Sequence, residues 1–312
     1  METVFHLGAH RTASTCFQYY LRENVSGLAR QGIATWGPRE TRDGLLTGVI
    51  PLSGTLSTGH DQLRRARGRI SLARQRLRDK SVQQLVVSDE NMIGAPRRNL
   101  RDRKLYAGIG ERMARFQDAF GHDVQRIVFS IRAQDMYWSS VLAYAVGRGH
   151  KVPDTDELDR LVTSNRMWRD VIRDLACAMP DTEILVLPYE QFGGRPELKL
   201  NWLTGCDTPP MKHAREWINR APSTSQLRQI LLDRRQDPDL LPNEDGRWQP
   251  FDEAQRMALR ESYADDLFWL RAGADGMATL IEETGTDMTG QILRSAQTTR
   301  GQDNGIEERR LA

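Results

Sequence analysis

Short apolar runs alternate with longer amphipathic stretches along this chain. The first run, Val4, Phe5 and Leu7, ends at Gly8, a polar turn of Ala9, His10, Arg11 and Thr12 follows, and helical spacing begins near Ala13 or Ser14. The pattern predicts a strand, a turn and a helix reaching about Arg30, with Leu21, Val25 and Leu28 on one face. Gly32 to Gly37 predicts a second short strand, and Val82 to Ser88 a third, whose continuous Leu-Val-Val suits a sheet covered on both faces. Val124 to Ile131 and the start of Glu183 to Phe192 predict a fourth and a fifth.

Between the strands, apolar residues recur at three and four positions. Leu63, Ala66, Ile70, Ala73 and Leu77 do so within residues 60–80, and Leu105 to Phe120 is a further amphipathic helix closed by Gly121. A helix is expected from Asp135 as N-cap, and another between Asp156 and Pro180 with Trp168, Val171, Ile172 and Leu175 in the core. Leu227 to Arg235 and Glu253 to Leu270 complete the set. From Arg39 to Gly59 glycine, proline, serine and threonine dominate without periodicity, which predicts a long loop, either an acceptor pocket or lid or a plain surface excursion. Strand after helix in this way predicts a three-layer α/β domain over residues 1–285, a mostly parallel central sheet flanked by helices. Residues 286–312 form a polar tail whose composition favours disorder.

Composition narrows the classes. With 312 residues, 39% of them hydrophobic, the chain is long enough to bury a sizeable core. A formal net charge of +2 does not point to nucleic acid as a partner. The outer face of residues 60–80 is almost wholly arginine, however. Such a face can attract an acidic acceptor or make peripheral contact with an anionic membrane, although charge runs more often just keep a helix face wet. Cys16, Cys177 and Cys206 are widely spaced and the six histidines scattered, so neither a disulfide framework nor a metal site is expected. No stretch reaches the roughly 18 apolar residues of a membrane span, and no basic segment with a long apolar run opens the sequence. A cytoplasmic protein is the expectation.

The chemistry concentrates at the turn after the first strand. The first backbone N–H groups of a helix have no partner within it and carry partial positive charge, so a phosphate or sulfate there gains hydrogen bonds and a favourable dipole. Arg11 adds a full charge, and Thr12, Ser14 and Thr15 add hydroxyls. In open α/β sheets ligands sit beyond the carboxyl ends of the strands, which brings Ser88, Asp89, Glu90 and Asn91 to the same crevice. Arg132 stands where the fourth strand ends and Ser140 eight positions later, on the helix that folds back beside it. The pair can converge on one anion, with Ser139 as the adjacent competitor, or Arg132 can make a strand-end salt bridge.

Gly8 matches the first glycine of the phosphate loop G-x-x-x-x-G-K-[ST], but Ala13 and Ser14 occupy the places of its second glycine and its lysine. That disfavours a P-loop-type small-molecule or nucleoside kinase. The cation comes early instead: His10-Arg11-Thr12-Ala13-Ser14-Thr15 resembles the 5′-phosphosulfate loop of the PAPS-dependent sulfotransferases, usually Lys-[ST]-Gly-Thr-Thr. Arg132 with Ser140 resembles that family's second signature, which holds the 3′-phosphate of PAPS (3′-phosphoadenosine-5′-phosphosulfate). Residues 88–91, 183–192 and 219–223 are similar to segments of its bacterial members, so the resemblance covers most of the first 270 residues.

The resemblance implies a P-loop-like sulfotransferase fold and, without a metal, transfer of a sulfuryl group from PAPS to a hydroxyl or amine on a small-molecule, lipid or glycan acceptor. It implies Arg11, Thr12, Ala13, Ser14, Thr15, Arg132 and Ser140 as donor-binding residues, Arg11 and His10 at the leaving group, and Glu90 as the base, with Asp89 its nearest competitor. Two departures stand out. Arginine in the lysine position cannot give up a proton, and there is no copy of the Arg-Lys-Gly that cytosolic animal members carry near the C-terminus, for which Arg220 or another basic residue would substitute. A non-catalytic nucleotide-binding protein of the same fold remains the alternative.

Overall fold

A computed structural model describes residues 1–52 and 57–283. Six strands, β1 (Glu2–Gly8), β2 (Ile33–Trp36), β3 (Gln84–Ser88), β4 (Arg126–Ile131), β5 (Glu183–Pro188) and β6 (Thr279–Leu280), form one sheet. Their order is β2-β3-β1-β4-β5-β6, and every pairing is parallel. The main helices in chain order are α1 (Ser14–Glu23), α2 (Val25–Arg30), α3 (Gly59–Arg78), α4 (Pro96–Asp102), α5 (Ile109–Ala119) and α6 (Gln134–Val146). They continue as α7 (Thr155–Val162), α8 (Trp168–Ala178), α9 (Pro196–Thr204), α10 (Thr224–Asp233) and α11 (Glu253–Arg271).

The two-residue period of a strand divides the apolar side chains between two faces. Phe5 and Leu7 join Leu85, Val87, Ile127 and Phe129 in the larger core, which also buries Tyr137, Trp138 and Trp168. Val4, Val86 and Val128 face the other way, onto Phe17, Tyr20, Leu28 and Leu200 of α1, α2 and α9. Helices therefore cover both faces of the expected three-layer α/β sheet. From β1 the chain goes first to one side, for β2 and β3, and then to the other, for β4 and β5. The carboxyl end of β1 is thus the switch point, where such sheets leave a crevice.

Several boundaries differ from the sequence expectation. The first helix breaks at Asn24, whose Nδ2 donates to the Tyr20 and Lys212 carbonyls. The helix expected between Asp156 and Pro180 is two. The first begins at Asp154, which caps it in a reciprocal box with Glu157, and the second starts where the buried Asp266 carboxylate accepts the Trp168 and Arg169 N–H groups. Asp135 is not an N-cap: Ala133 holds that place, and Asp135 is buried in the first turn, accepting from Arg260 Nε at 2.8 Å. Residues 39–59 are not a plain loop throughout, since helical turns occupy Pro38–Glu40 and Thr41–Leu45, while 53–56 lie outside the described residues. So does the expected tail at 286–312.

The arginine face of α3 is matched by acids in part. Arg67 pairs with Asp118, Arg78 with Asp123, and the buried Arg74 with Asp123 and the Phe120 carbonyl. Among the described residues no helix is long and apolar enough to cross a membrane, and no three His, Cys, Asp or Glu side chains could hold a metal ion together.

Candidate functional site

The turn between β1 and α1 depends on Gly8. A Cβ there would lie 2.2 Å from Ser14 Oγ and 2.9 Å from Thr12 Oγ1, so only glycine lets the turn fold back over the strand end. Arg11 (φ 68°) and Ala13 (φ 63°) are both left-handed, a conformation that costs a non-glycine residue of order 1–3 kcal/mol and clusters at ligand clamps. Thr12 Oγ1 donates to the Ala9 carbonyl at 2.6 Å, is fully buried and does not reach the cavity. Thr12, expected among the donor-binding residues, is thus placed off the cavity, with its hydroxyl bracing the turn. Among the described residues the backbone N–H groups of 13–16 find no acceptor, and the buried Ser14 Oγ finds no partner.

These groups border a cavity of about 670 Å³ at the carboxyl ends of the central strands. Arg11, Ala13, Ser14, Thr15, Arg132 and Ser140 all line it, so the two sequence signatures meet in one place. Arg11 joins them: its Nε donates to Ser140 Oγ and its Nη2 to the Asn219 carbonyl, both at 3.1 Å. Arg132 Nη1 donates to the Arg11 carbonyl at 2.9 Å, its guanidinium lies 4.4 Å from the centre of the Tyr189 ring, and its buried Nε has no partner. Among the described residues no carboxylate pairs with Arg132, so no strand-end salt bridge is seen there. Burial lowers the pKa of both arginines; at Arg132 the neighbouring Tyr189 and Glu190 oppose it while Arg247 and Arg11 add to it. Ser139 is turned away, donating to the Asp135 carbonyl at 2.7 Å.

His10 lines the same cavity. The Tyr106 hydroxyl accepts the His10 backbone N–H at 2.7 Å and sits 2.9 Å from Nδ1, while Tyr137 donates to it at 3.3 Å. Its own proton is thereby directed to Nδ1, which leaves Nε2–H to donate to Asn91 Oδ1 at 3.2 Å. Burial lowers the His10 pKa, Glu90 opposing it in part, and this favours the neutral ring. In this tautomer both ring nitrogens of His10 are engaged, Nδ1 by Tyr106 and Nε2–H by Asn91, so it is not a base.

The carboxylates after β3 have separate roles. Asp89 accepts from Thr41 Oγ1 (2.6 Å), from Arg42 Nη2 and Nε (2.7 and 3.1 Å) and from the Asn91 N–H (2.9 Å), and it does not line the cavity. Glu90 does line it, accepting from Gln18 Nε2 at 2.6 Å and Arg42 Nη2 at 3.2 Å. Glu90 is the only acid among the lining residues, against Arg11, Arg132, Arg220 and Arg247.

The sequence reading missed Arg247, Tyr144 and Tyr189 on the walls and Lys199 beneath the turn. Of these only Lys199 carried a signal: a lysine inside the apolar run Pro-Glu-Leu-Lys-Leu, opened by a proline at a helix's first position. No protein-family model, curated protein or solved structure matches the chain.

Chemically, the cavity suits a ligand with two anionic groups, one over the first turn of α1 and one near Arg132, and it keeps a carboxylate and a neutral imidazole within the same walls.

Proposed function

We propose that this protein is a PAPS-dependent sulfotransferase, moving a sulfuryl group to a hydroxyl or amine acceptor and releasing adenosine 3′,5′-bisphosphate. The observation that carries the reading is a set of backbone donors with no acceptor among the described residues, the N–H groups of residues 13–16, all of which line one cavity, while the side-chain atoms Ser14 Oγ and Arg132 Nε, of residues that also line it, are buried without a partner. Buried polar atoms are normally paired, so several left open around one hollow fit an anionic ligand.

In this reading the phosphosulfate lies over the first turn of α1 and the 3′-phosphate beside Arg132 and Ser140. The acceptor heteroatom attacks sulfur in line, the bond from sulfur to the bridging phosphate oxygen breaks, and its electron pair stays on the phosphate. Charge grows on that oxygen, where the Arg11 guanidinium stabilises it without proton transfer, joined by the His10 Nε2–H once that exchanges Asn91 Oδ1 for the leaving oxygen. The acceptor's proton goes to Glu90, which first exchanges its hydrogen bond from Gln18 for one from the acceptor. The work is positioning and charge stabilisation, as in phosphoryl transfer.

The deciding experiment is incubation with PAPS and cell extract, read by mass spectrometry for products heavier by one sulfuryl group. Sulfonated products that appear only with active protein support transfer and name the acceptor. Binding of adenosine 3′,5′-bisphosphate without any product favours a non-catalytic nucleotide-binding protein. Preference for ATP with Mg²⁺ over adenosine 3′,5′-bisphosphate favours a kinase.

A further inference from the structure

Lys199 projects from α9 and is among the largest side chains buried completely in the protein. A buried ammonium is costly unless something matches its charge. Its hydrogen bond runs from Nζ to the Thr12 carbonyl at 3.1 Å, and among the described residues no carboxylate pairs with it. Glu197, on the same helix, is engaged by Arg215 at 2.8 and 2.9 Å.

The described elements packed on α9 bring no carboxylate to Lys199 either, and Cys16 of α1 is the neighbour that favours its charged form. β1 brings His6, which burial and Lys199 together keep neutral, and α1 brings the Cys16 thiol. β3 carries no ionisable side chain, and the β4 arginine, Arg126, is bound to Glu183 and to the Trp202 and Leu203 carbonyls at the far end. In the turn Tyr189–Phe192, Tyr189 lies under Arg132, while Glu190 accepts from the Ala133 N–H and the Tyr263 hydroxyl. Across a small crevice Glu216 is exposed and bound to His213.

The group Lys199 does touch leads to the cavity. The Thr12 carbonyl belongs to the Thr12–Ala13 peptide, which is trans, so the Ala13 N–H points opposite to it, away from Lys199. Ala13 lines the cavity and its N–H has no acceptor. A cation at the carbonyl end polarises the peptide and strengthens that N–H as a donor.

We propose that Lys199 is a positioning residue for the anion loop, its amino group held behind the Thr12–Ala13 peptide so that a bound anion supplies the missing counter-charge and favours its protonated, ammonium form. The proposal rests on the reading of this loop as an anion site. Burial brings the Lys199 pKa down to about 8, so the empty protein carries a mixture of both forms just above neutrality. An anion across the peptide favours the charged form.

The test is calorimetric titration of the full chain with adenosine 3′,5′-bisphosphate from about pH 6.5 to about 9.5, in buffers of different ionisation enthalpy, to count protons. The wild type should take up about half a proton between about pH 8 and about 9 and lose affinity by about threefold per pH unit there, about tenfold in all. Lys199→Met should bind about tenfold more weakly at pH 7, lose the extra proton uptake and show only the ligand's own pH dependence. Lys199→Arg, charged throughout the range, should restore affinity without the pH dependence. Wild type that binds with no more proton uptake than the ligand's phosphates account for overturns the proposal, whether or not any variant folds, and so does a Lys199→Met profile that matches the wild type. Failure of the wild type to bind either this nucleotide or inorganic pyrophosphate at any pH overturns the anion-site reading itself, and the proposal with it.

Discussion

The two walls of the cavity are in opposite states of satisfaction. On the loop side, donors stand without acceptors: the N–H groups of residues 13–16, Ser14 Oγ and Arg132 Nε. On the wall beyond β3 the acceptor is already filled, Glu90 being held by Gln18 and Arg42, and the adjacent Asp89, which does not reach the cavity, takes four hydrogen bonds. The difference teaches where reorganisation must occur. An anion can enter the loop side without breaking a protein hydrogen bond to those groups, and such preorganised donors need no rearrangement when charge develops. The Glu90 side is restrained, because in the proposed mechanism a paired carboxylate must exchange a partner before it can take a proton. Donor binding should therefore be insensitive to Glu90, and turnover sensitive to it.

The sharpest way to break that contrast is Glu90→Gln, which keeps shape and most hydrogen bonding but removes basicity. Sulfuryl transfer should fall by about 10²–10⁴, the usual contribution of a positioned general base, with the dissociation constant for adenosine 3′,5′-bisphosphate unchanged. Near-normal turnover would remove Glu90 from the mechanism. On the opposite wall, Arg11→Ala should lower kcat by about 10²–10³ and donor affinity much less, because its charge matters most when the leaving oxygen becomes negative. Equal losses in rate and affinity would mean that Arg11 only anchors the donor.

A smaller effect separates the two anion subsites. Arg132→Ala should abolish the preference for 3′-phosphorylated over unphosphorylated adenine nucleotides, a charge-assisted bond contributing about 1.5–3 kcal/mol, or roughly 10- to 150-fold in affinity. Competition binding with paired nucleotides measures it, and undiminished discrimination would assign that phosphate elsewhere.

What was legible in the sequence was what lies close together along it. The loop from Gly8 to Thr15 is one strand, one turn and one helix start, and Arg132 with Ser140 spans a single strand-to-helix junction, so local pattern placed both. The parallel sheet followed from strands alternating with helices. The partners that fix the chemistry come from far away: Tyr106 sets the His10 tautomer across 96 residues, Arg42 restrains Glu90 across 48, and Lys199 reaches Thr12 across 187. No local periodicity encodes such meetings. Asp135 was misread for a related reason. Its type suits a cap, but its burial against Arg260 depends on α11, which lies more than a hundred residues further on.

The finest distinction lies between two adjacent serines on α6. Ser139 and Ser140 are equivalent by type and nearly so by position, yet a step of one residue turns a helix by about 100° and gives them different surroundings. Ser139 Oγ is fully buried and donates to the Asp135 carbonyl one turn back, so Ser139→Ala loses an internal hydrogen bond that contributes about 0.5–1.5 kcal/mol to stability. The melting temperature should drop by a few degrees, with donor affinity intact. Ser140 Oγ accepts from Arg11 Nε on the cavity wall, so Ser140→Ala frees the guanidinium and removes a hydroxyl that can donate to the ligand. Affinity for adenosine 3′,5′-bisphosphate should fall by about 2- to 10-fold with little change in melting temperature. Measuring both quantities on both variants gives a crossed pattern, stability lost in one and binding in the other. The reverse pattern would place Ser139 on the ligand side and require α6 to be turned relative to the loop.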